Sequence, residues 1–197
     1  MLRTLAAALA FSLVSSVASA TVVNFTGNVT EIAAPPSVTN VVPGSDTTAY
    51  VFEERTFTLV SNLVTNTGII LAGTRVTSYM LFLNQAPGRP NTVSAEGTVT
   101  FSTAILGLMT STARVNGSHG LLGAPGTTYN LTHSHTGLEG GDSLTFFGNT
   151  ATFDFTVTEP GDWTRVIVAA VPLPAGGLLL LGGLAGLAAL RRRRNLA

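Results

Sequence analysis

The stretch Ser143-Leu144-Thr145-Phe146-Phe147-Gly148-Asn149-Thr150-Ala151-Thr152-Phe153-Asp154-Phe155-Thr156-Val157 decides the fold. Gly148-Asn149 is a two-residue hairpin signature between two short runs rich in Thr and Phe. After the turn, Phe153, Phe155 and Val157 alternate with Thr152, Asp154 and Thr156. A period of two sends the apolar set to a core and the polar set to the other face. Downstream, Pro160-Gly161-Asp162 turns the chain into a last strand over 163–170. Upstream, residues 75–83 place Val76, Ser78, Met80 and Phe82 on one face and Thr77, Tyr79 and Leu81 on the other. That pattern predicts a central strand covered on both sides. Val99 and Phe101 alternate with Thr98, Thr100 and Ser102, while Ile105, Leu106, Leu108 and Met109 form an apolar run that fits a bent strand or a short helix. Residues 22–32 and 49–60 add further strands. Seven to ten strands separated by Gly, Pro, Asn and Asp predict an all-β chain, a single β-sandwich of jelly-roll type.

Segment 21–170 has the length of one domain. The chain has no cysteine, which excludes disulfides, thiolate metal sites and a cysteine nucleophile. Every basic residue is arginine. Within 21–170 five arginines stand against ten acidic side chains, so this part carries a net charge of about −5 although the whole chain is neutral. A mildly acidic domain without a basic patch argues against nucleic acid as a partner.

Both ends read as topogenic. Arg3 opens a short positive region, residues 5–17 are an apolar stretch, and Ala18-Ser19-Ala20 is an A-x-A cleavage site, so residues 1–20 read as a secretory signal peptide and the mature chain begins at Thr21. Residues 171–197 form a separate tail. No polar side chain occurs from Gly176 to Leu190, and with residues 171–175 the apolar span reaches 20 residues, about the ~20 that cross a bilayer. Arg191, Arg192, Arg193 and Arg194 follow at once and hold that end on the cytoplasmic side. Pro172 and Pro174 favour an extended backbone ahead of the span. Gly182-x-x-x-Gly186 is a small-residue step of the kind that packs helices.

The motif Val171-Pro172-Leu173-Pro174-Ala175, the Gly/Leu/Ala span and the arginine run together resemble the VPLPA-CTERM sorting signal, a variant of the PEP-CTERM class. The resemblance implies that the chain is the substrate of an exosortase, a polytopic membrane protease or transpeptidase of the Gram-negative inner membrane. That enzyme removes the span and passes the protein outward, to the cell surface or the extracellular space. Segments 73–79, 99–101 with 105–108, 121–129, Gly137-Leu138-Glu139 with Asp142, and Pro160-Gly161-Asp162-Trp163 also look like an ectodomain that accompanies such tails. That likeness implies an exported β-domain and carries no catalytic residue with it.

The residues themselves supply little catalytic chemistry. No G-x-S-x-G elbow, H-E-x-x-H helix or S-x-x-K motif occurs. A glycosidase pair would need Glu139, Asp142, Glu53 or Glu54 to meet another carboxylate in space. His133-x-His135 on a strand would put both imidazoles on one face, as zinc or copper sites need, with a third ligand from His119, Glu139 or Asp142. Glu139-Gly140-Gly141-Asp142 gathers oxygen ligands suited to calcium, without a full EF-hand or RTX pattern. The polar, Gly-rich stretch 127–141 has a plainer reading as a solvated loop, so the sequence assigns no cofactor and keeps calcium or zinc as the alternative. Four N-x-[ST] triplets, at Asn24, Asn28, Asn116 and Asn130, read as surface turns and strand edges in a bacterial host. Tyr50, Tyr79, Tyr129 and Trp163 offer rings for stacking on sugars if grouped on one exposed face, or plugs for a core. The expectation is therefore a non-enzymatic surface or extracellular-matrix protein, transiently in the inner membrane, cut by an exosortase and retained near exopolysaccharide. The alternative is a polysaccharide- or metal-binding module permanently anchored by a single transmembrane helix.

Overall fold

In the computed structural model the described residues are 20–39, 42–86, 88, 92–130, 136–158, 161–171 and 184. All of them except Leu184 lie in the compact unit Ser19–Val171. In chain order this unit contains β1 (Val22–Gly27), β2 (Val29–Glu31), β3 (Ser37–Val38), β4 (Ala49–Thr58), β5 (Leu63–Val64), β6 (Ile69–Ile70), β7 (Arg75–Leu83), β8 (Val93–Phe101), β9 (Ile105–Met109), the short helices α1 (Thr112–Gly117) and α2 (His119–Leu122), β10 (Thr128–Tyr129), β11 (Ser143–Phe147), β12 (Thr150–Val157) and β13 (Asp162–Ala169). The chain is mostly β, as its alternation predicts.

Two sheets carry the architecture: a four-stranded sheet in the order β1-β8-β12-β11 and a five-stranded sheet in the order β2-β4-β7-β13-β9. The remaining strands are two-residue pairs, β3 with β10 and β5 with β6. The hairpin forms as expected. Phe147 faces Thr150 across the turn, and Gly148 takes φ +62° while Asn149 does not have positive φ. That is the glycine-first form of the two-residue turn, whose twist suits the flanking strands. Residues 22–32 divide at Gly27, where φ of +78° passes the chain from one sheet to the other. The 105–109 run resolves to a strand, and its pairing with β13 slips between Ile167 and Val168.

The inward residues of both sheets share one core. Val51, Tyr79, Leu81, Val166 and Val168 of the five-stranded sheet pack with Val99, Phe101, Phe153, Phe155 and Val157 of the four-stranded one. A second apolar cluster lies on the opposite face of the five-stranded sheet. There Phe52, Met80, Phe82, Trp163 and Ile167 meet Leu59, Leu63, Val115 and Leu122 from the helices and loops. Strand β7 is consequently buried from Val76 to Leu83, which is the two-sided cover its sequence predicts.

One ion pair crosses this second layer. Strand β4 bulges at Glu54, since Glu53 pairs with Tyr79 and Arg55 with Ser78. Glu54 stands two residues after Phe52 and so shares its face, toward Arg165 of β13, while the bulge brings the following Arg55 into register with Ser78. Nε and Nη2 of Arg165 donate to the two oxygens of Glu54 at 2.7 and 2.8 Å, and both side chains are fully buried. Nη1 donates to the Val115 carbonyl at the end of α1 and to Ser118 Oγ, and Nη2 also donates to His119 Nδ1. Ser78 and Tyr129 hydroxyls complete the carboxylate at 2.7 Å each. All five guanidinium donors are thus engaged, the condition under which a buried charge is tolerated. Arg165→Met should cost about 3–5 kcal/mol in urea denaturation by stranding the Glu54 carboxylate, and Glu54→Gln combined with Arg165→Met should cost less than the sum of the two single changes. Additive losses would show that the pair is not coupled.

Candidate functional site

The face of the four-stranded sheet turned away from the core carries the remaining polar pattern. Its registers align Thr26, Thr98, Thr152 and Thr145 in one row, and Asn24, Thr100, Thr150 and Phe147 in the next. A third row joins Glu96, Asp154 and Ser143, and a fourth pairs Ser94 with Thr156. Neighbouring hydroxyls bond across the strands: Thr26 to Thr98 at 2.8 Å, Thr100 to Thr150 at 3.0 Å and Ser94 to Thr156 at 3.2 Å. Each hydroxyl donates once and accepts twice, so such a ladder leaves outward lone pairs for a second partner. Neighbouring strands, and so neighbouring members of a row, are about 4.8 Å apart.

A shallow open trough of about 460 Å³ crosses this face, lined by Thr26, Glu96, Thr98, Ser143, Thr152 and Asp154. Its floor is made by a glycine pair, Gly27 opposite Gly97. A Cβ on Gly97 would collide with the Thr26 carbonyl and press the Phe153 ring, so the strands approach here only without side chains. Glu96 and Asp154 stand directly opposite one another on paired strands. Like charges in that position destabilise a sheet, and both carboxylates are exposed at the rim of the trough. Phe147, 91% exposed, ends the Asn24 row, two rows away from this pair.

The expected site residues are placed differently. Tyr79 and Trp163 are core plugs: the Tyr79 ring packs tilted against Phe101 with centroids 4.8 Å apart, and Trp163 Nε1 donates to Asn84 Oδ1 at 2.7 Å. They offer no sugar platform, and among the described residues the exposed rings are Phe25, Phe146 and Phe147. Glu54 pairs with Arg165 rather than with a carboxylate. His119 stacks on Tyr129 at 4.3 Å. Its Nδ1 accepts from a guanidinium, which can only donate, so the ring proton sits on Nε2 and points to Asn116 Oδ1 at 3.3 Å. His133 and His135 lie outside the described residues. Glu139 and Asp142 are neighbours, joined by the Glu139 amide on Asp142 Oδ2 at 3.3 Å. Among the described residues no three His, Asp or Glu side chains stand within reach of one ion. The stretch 127–141 is not a solvated loop throughout, because Thr136 is fully buried and Gly137 lies against the backbone of Thr112.

Of the topogenic residues, Ala18, Pro172, Leu173, Pro174, Ala175, Arg191, Arg192, Arg193 and Arg194 lie outside the described residues. Among the described residues no helix is long and apolar enough to cross a membrane. Val171 is half-buried at the end of the compact unit. Ala20 is fully buried in the core, and its carbonyl accepts the hydroxyl proton of Tyr79. A chain beginning at Thr21 would therefore lack a core residue. The segment 21–171 is expected to melt about 2–10 °C below the segment 19–171, since stranding a buried hydroxyl costs about 1–3 kcal/mol, and Tyr79→Phe should narrow that gap. Equal melting would return Ala20 to the leader.

Two titratable groups, the half-buried His119 and the buried Asp162, oppose each other in their effect on stability. Burial, then the Arg165 charge, lowers His119 from 6.5 to about 3. Burial, then Asp142 and Glu139, raises Asp162 from 3.8 to about 8; this residue is 4% exposed and its Oδ2 has no hydrogen-bond partner. Between pH 3 and 6.5 the unfolded chain binds the His119 proton and the folded one does not, so His119 makes stability rise with pH. Between pH 3.8 and 8 the folded chain keeps the Asp162 proton and the unfolded one has lost it, so Asp162 makes stability fall with pH. The two slopes, each at most about 1.4 kcal/mol per pH unit, cancel below pH 6.5. His119→Gln should leave a monotonic fall from pH 4 to 8, and Asp162→Asn a rise from pH 4 to 6.5, both read from urea midpoints. Unchanged profiles in both variants would overturn the assignment.

No family model, curated protein or solved structure matches the chain.

Proposed function

We propose that the protein is an exported, non-enzymatic surface or extracellular-matrix protein whose four-stranded sheet lies against polysaccharide. The hydroxyl ladder around the open trough carries this reading. A polysaccharide chain presents repeating hydroxyls that donate and accept, and a flat array of Thr and Ser on a rigid sheet meets them with little ordering cost. The trough is open to solvent, as a polymer requires, rather than the enclosed cleft of a small-molecule site. Export rests on the leader over 1–20, and processing on the likeness of residues 171–194 to a VPLPA-CTERM signal cut by an exosortase-type protease. We read the two sheets as one β-sandwich of jelly-roll type, supported by the single core that their inner faces share and by the strands that cross between them.

The facing carboxylates Glu96 and Asp154 favour one second reading, glycoside hydrolysis, which needs such a pair across a sugar-binding groove. Affinity electrophoresis through exopolysaccharide of the native host should retard the protein, and Thr98→Val with Thr152→Val should abolish the retardation without moving the melting temperature. Retardation unchanged in that variant would remove the ladder from the contact. Release of reducing ends that is lost in Glu96→Gln would make the carboxylates a catalytic pair instead.

A further inference from the structure

Among the described residues, most of the large apolar side chains that the domain exposes lie toward the end from which the chain leaves it. The amide of Ala170 donates to the Arg75 carbonyl, and the Thr103 hydroxyl donates to the Ala169 carbonyl, so the exit at Val171 sits beside the start of β7 and the β8–β9 connection. The entry lies there too, because Thr21 and Ser102 bond to each other through both backbone amides. The hairpin turn joins the same end through Phe101 to Asn149 and Ile105 to Gly148. So does the base of the 59–74 excursion, where Leu59 and Thr74 are paired. On this end stand Val60 at 90% exposure, Phe147 at 91%, Leu71 at 64% and Val23 at 57%. Ile69 and Val64 continue the apolar surface up the β5–β6 hairpin.

No Asp or Glu occurs in residues 20–30, 56–78, 97–115, 143–153 or 163–171, the segments that build this end. Arg75 is the charged residue beside the exit. Glu139, Asp142 and Asp162 instead cluster at the opposite end, where Asp162 pairs with Leu83. An exposed apolar rim marks an interaction surface. Its position fixes the partner, since both segments that enter the membrane in the reading above leave from here.

We propose that this end of the domain rests on the lipid surface while the tail is in place, with Val60, Leu71 and Phe147 entering the interface and Arg75 facing anionic headgroups. The inference rests on the membrane-embedded tail and adds the orientation of the domain on it.

The chain has no cysteine, so an environment-sensitive fluorophore can be attached at one introduced site at a time. Four full-length variants, Val60→Cys, Phe147→Cys, Ser94→Cys and Leu184→Cys, are reconstituted in vesicles of phosphatidylethanolamine and phosphatidylglycerol containing brominated lipid. Loss of emission at 60, 147 and 184, with emission retained at 94, is the expected result. Loss at 184 alone would overturn the docking and leave the anchored tail. Loss at all four would overturn the end-on orientation. Retained emission at 184 would sink the anchor, and the docking with it.

Discussion

The buried Glu54–Arg165 pair is the constraint on which the rest of the domain depends. The five-stranded sheet has apolar side chains on both faces, so it must be covered twice, and the four-stranded sheet covers only one. The other cover is made of two helices of six and four residues and several loops, none long enough to hold itself. Arg165 fastens these pieces to the sheet through the Val115 carbonyl, Ser118 and His119, while Glu54 takes Tyr129 from β10. Replacing such a network by apolar side chains of equal volume is often neutral or better for stability. Its contribution here is to fix where irregular segments sit, which nonspecific apolar contact does not do.

What could be read from the sequence follows from where its period of two is unbroken. Phe153, Phe155 and Val157 face the core, and β7 is covered on both sides, as their spacing requires. The ion pair escaped because its two members are 111 residues apart, on strands that do not neighbour each other in the sheet. A local signal for it existed, a single Arg inside the otherwise uncharged run Trp163 to Ala170. The helices at 112–122 were not foreseen because they are too short to show a 3.6-residue period. For the aromatic residues the sequence left both a stacking surface and a core plug open, since the burial of Tyr79 and Trp163 depends on strands far away in sequence.

The candidate site was half legible. Thr98 and Thr100, and Thr150, Thr152 and Thr156, visibly alternate with apolar residues, which marks a polar sheet face. That these runs align into rows depends on β8 lying between β1 and β12, a neighbour relation set by the topology and not by any local pattern. Gly27 and Gly97 likewise look like ordinary turn or bulge residues until they are seen to oppose each other beneath the trough.

The two proposed surfaces are geometrically compatible, and their relation has a consequence for when the protein can act. The strands of the four-stranded sheet run from the acid-free end, at Phe101 and Thr150, toward the end where Val93 meets Val157. With the acid-free end on lipid these strands stand upright, and the hydroxyl rows lie roughly parallel to the membrane plane. The trough then faces sideways, clear of the bilayer. Removal of the tail would free the apolar rim without altering the hydroxyl face, so contact with polysaccharide does not have to wait for processing. The anchored and released forms would differ in where they hold the polymer, not in whether they hold it.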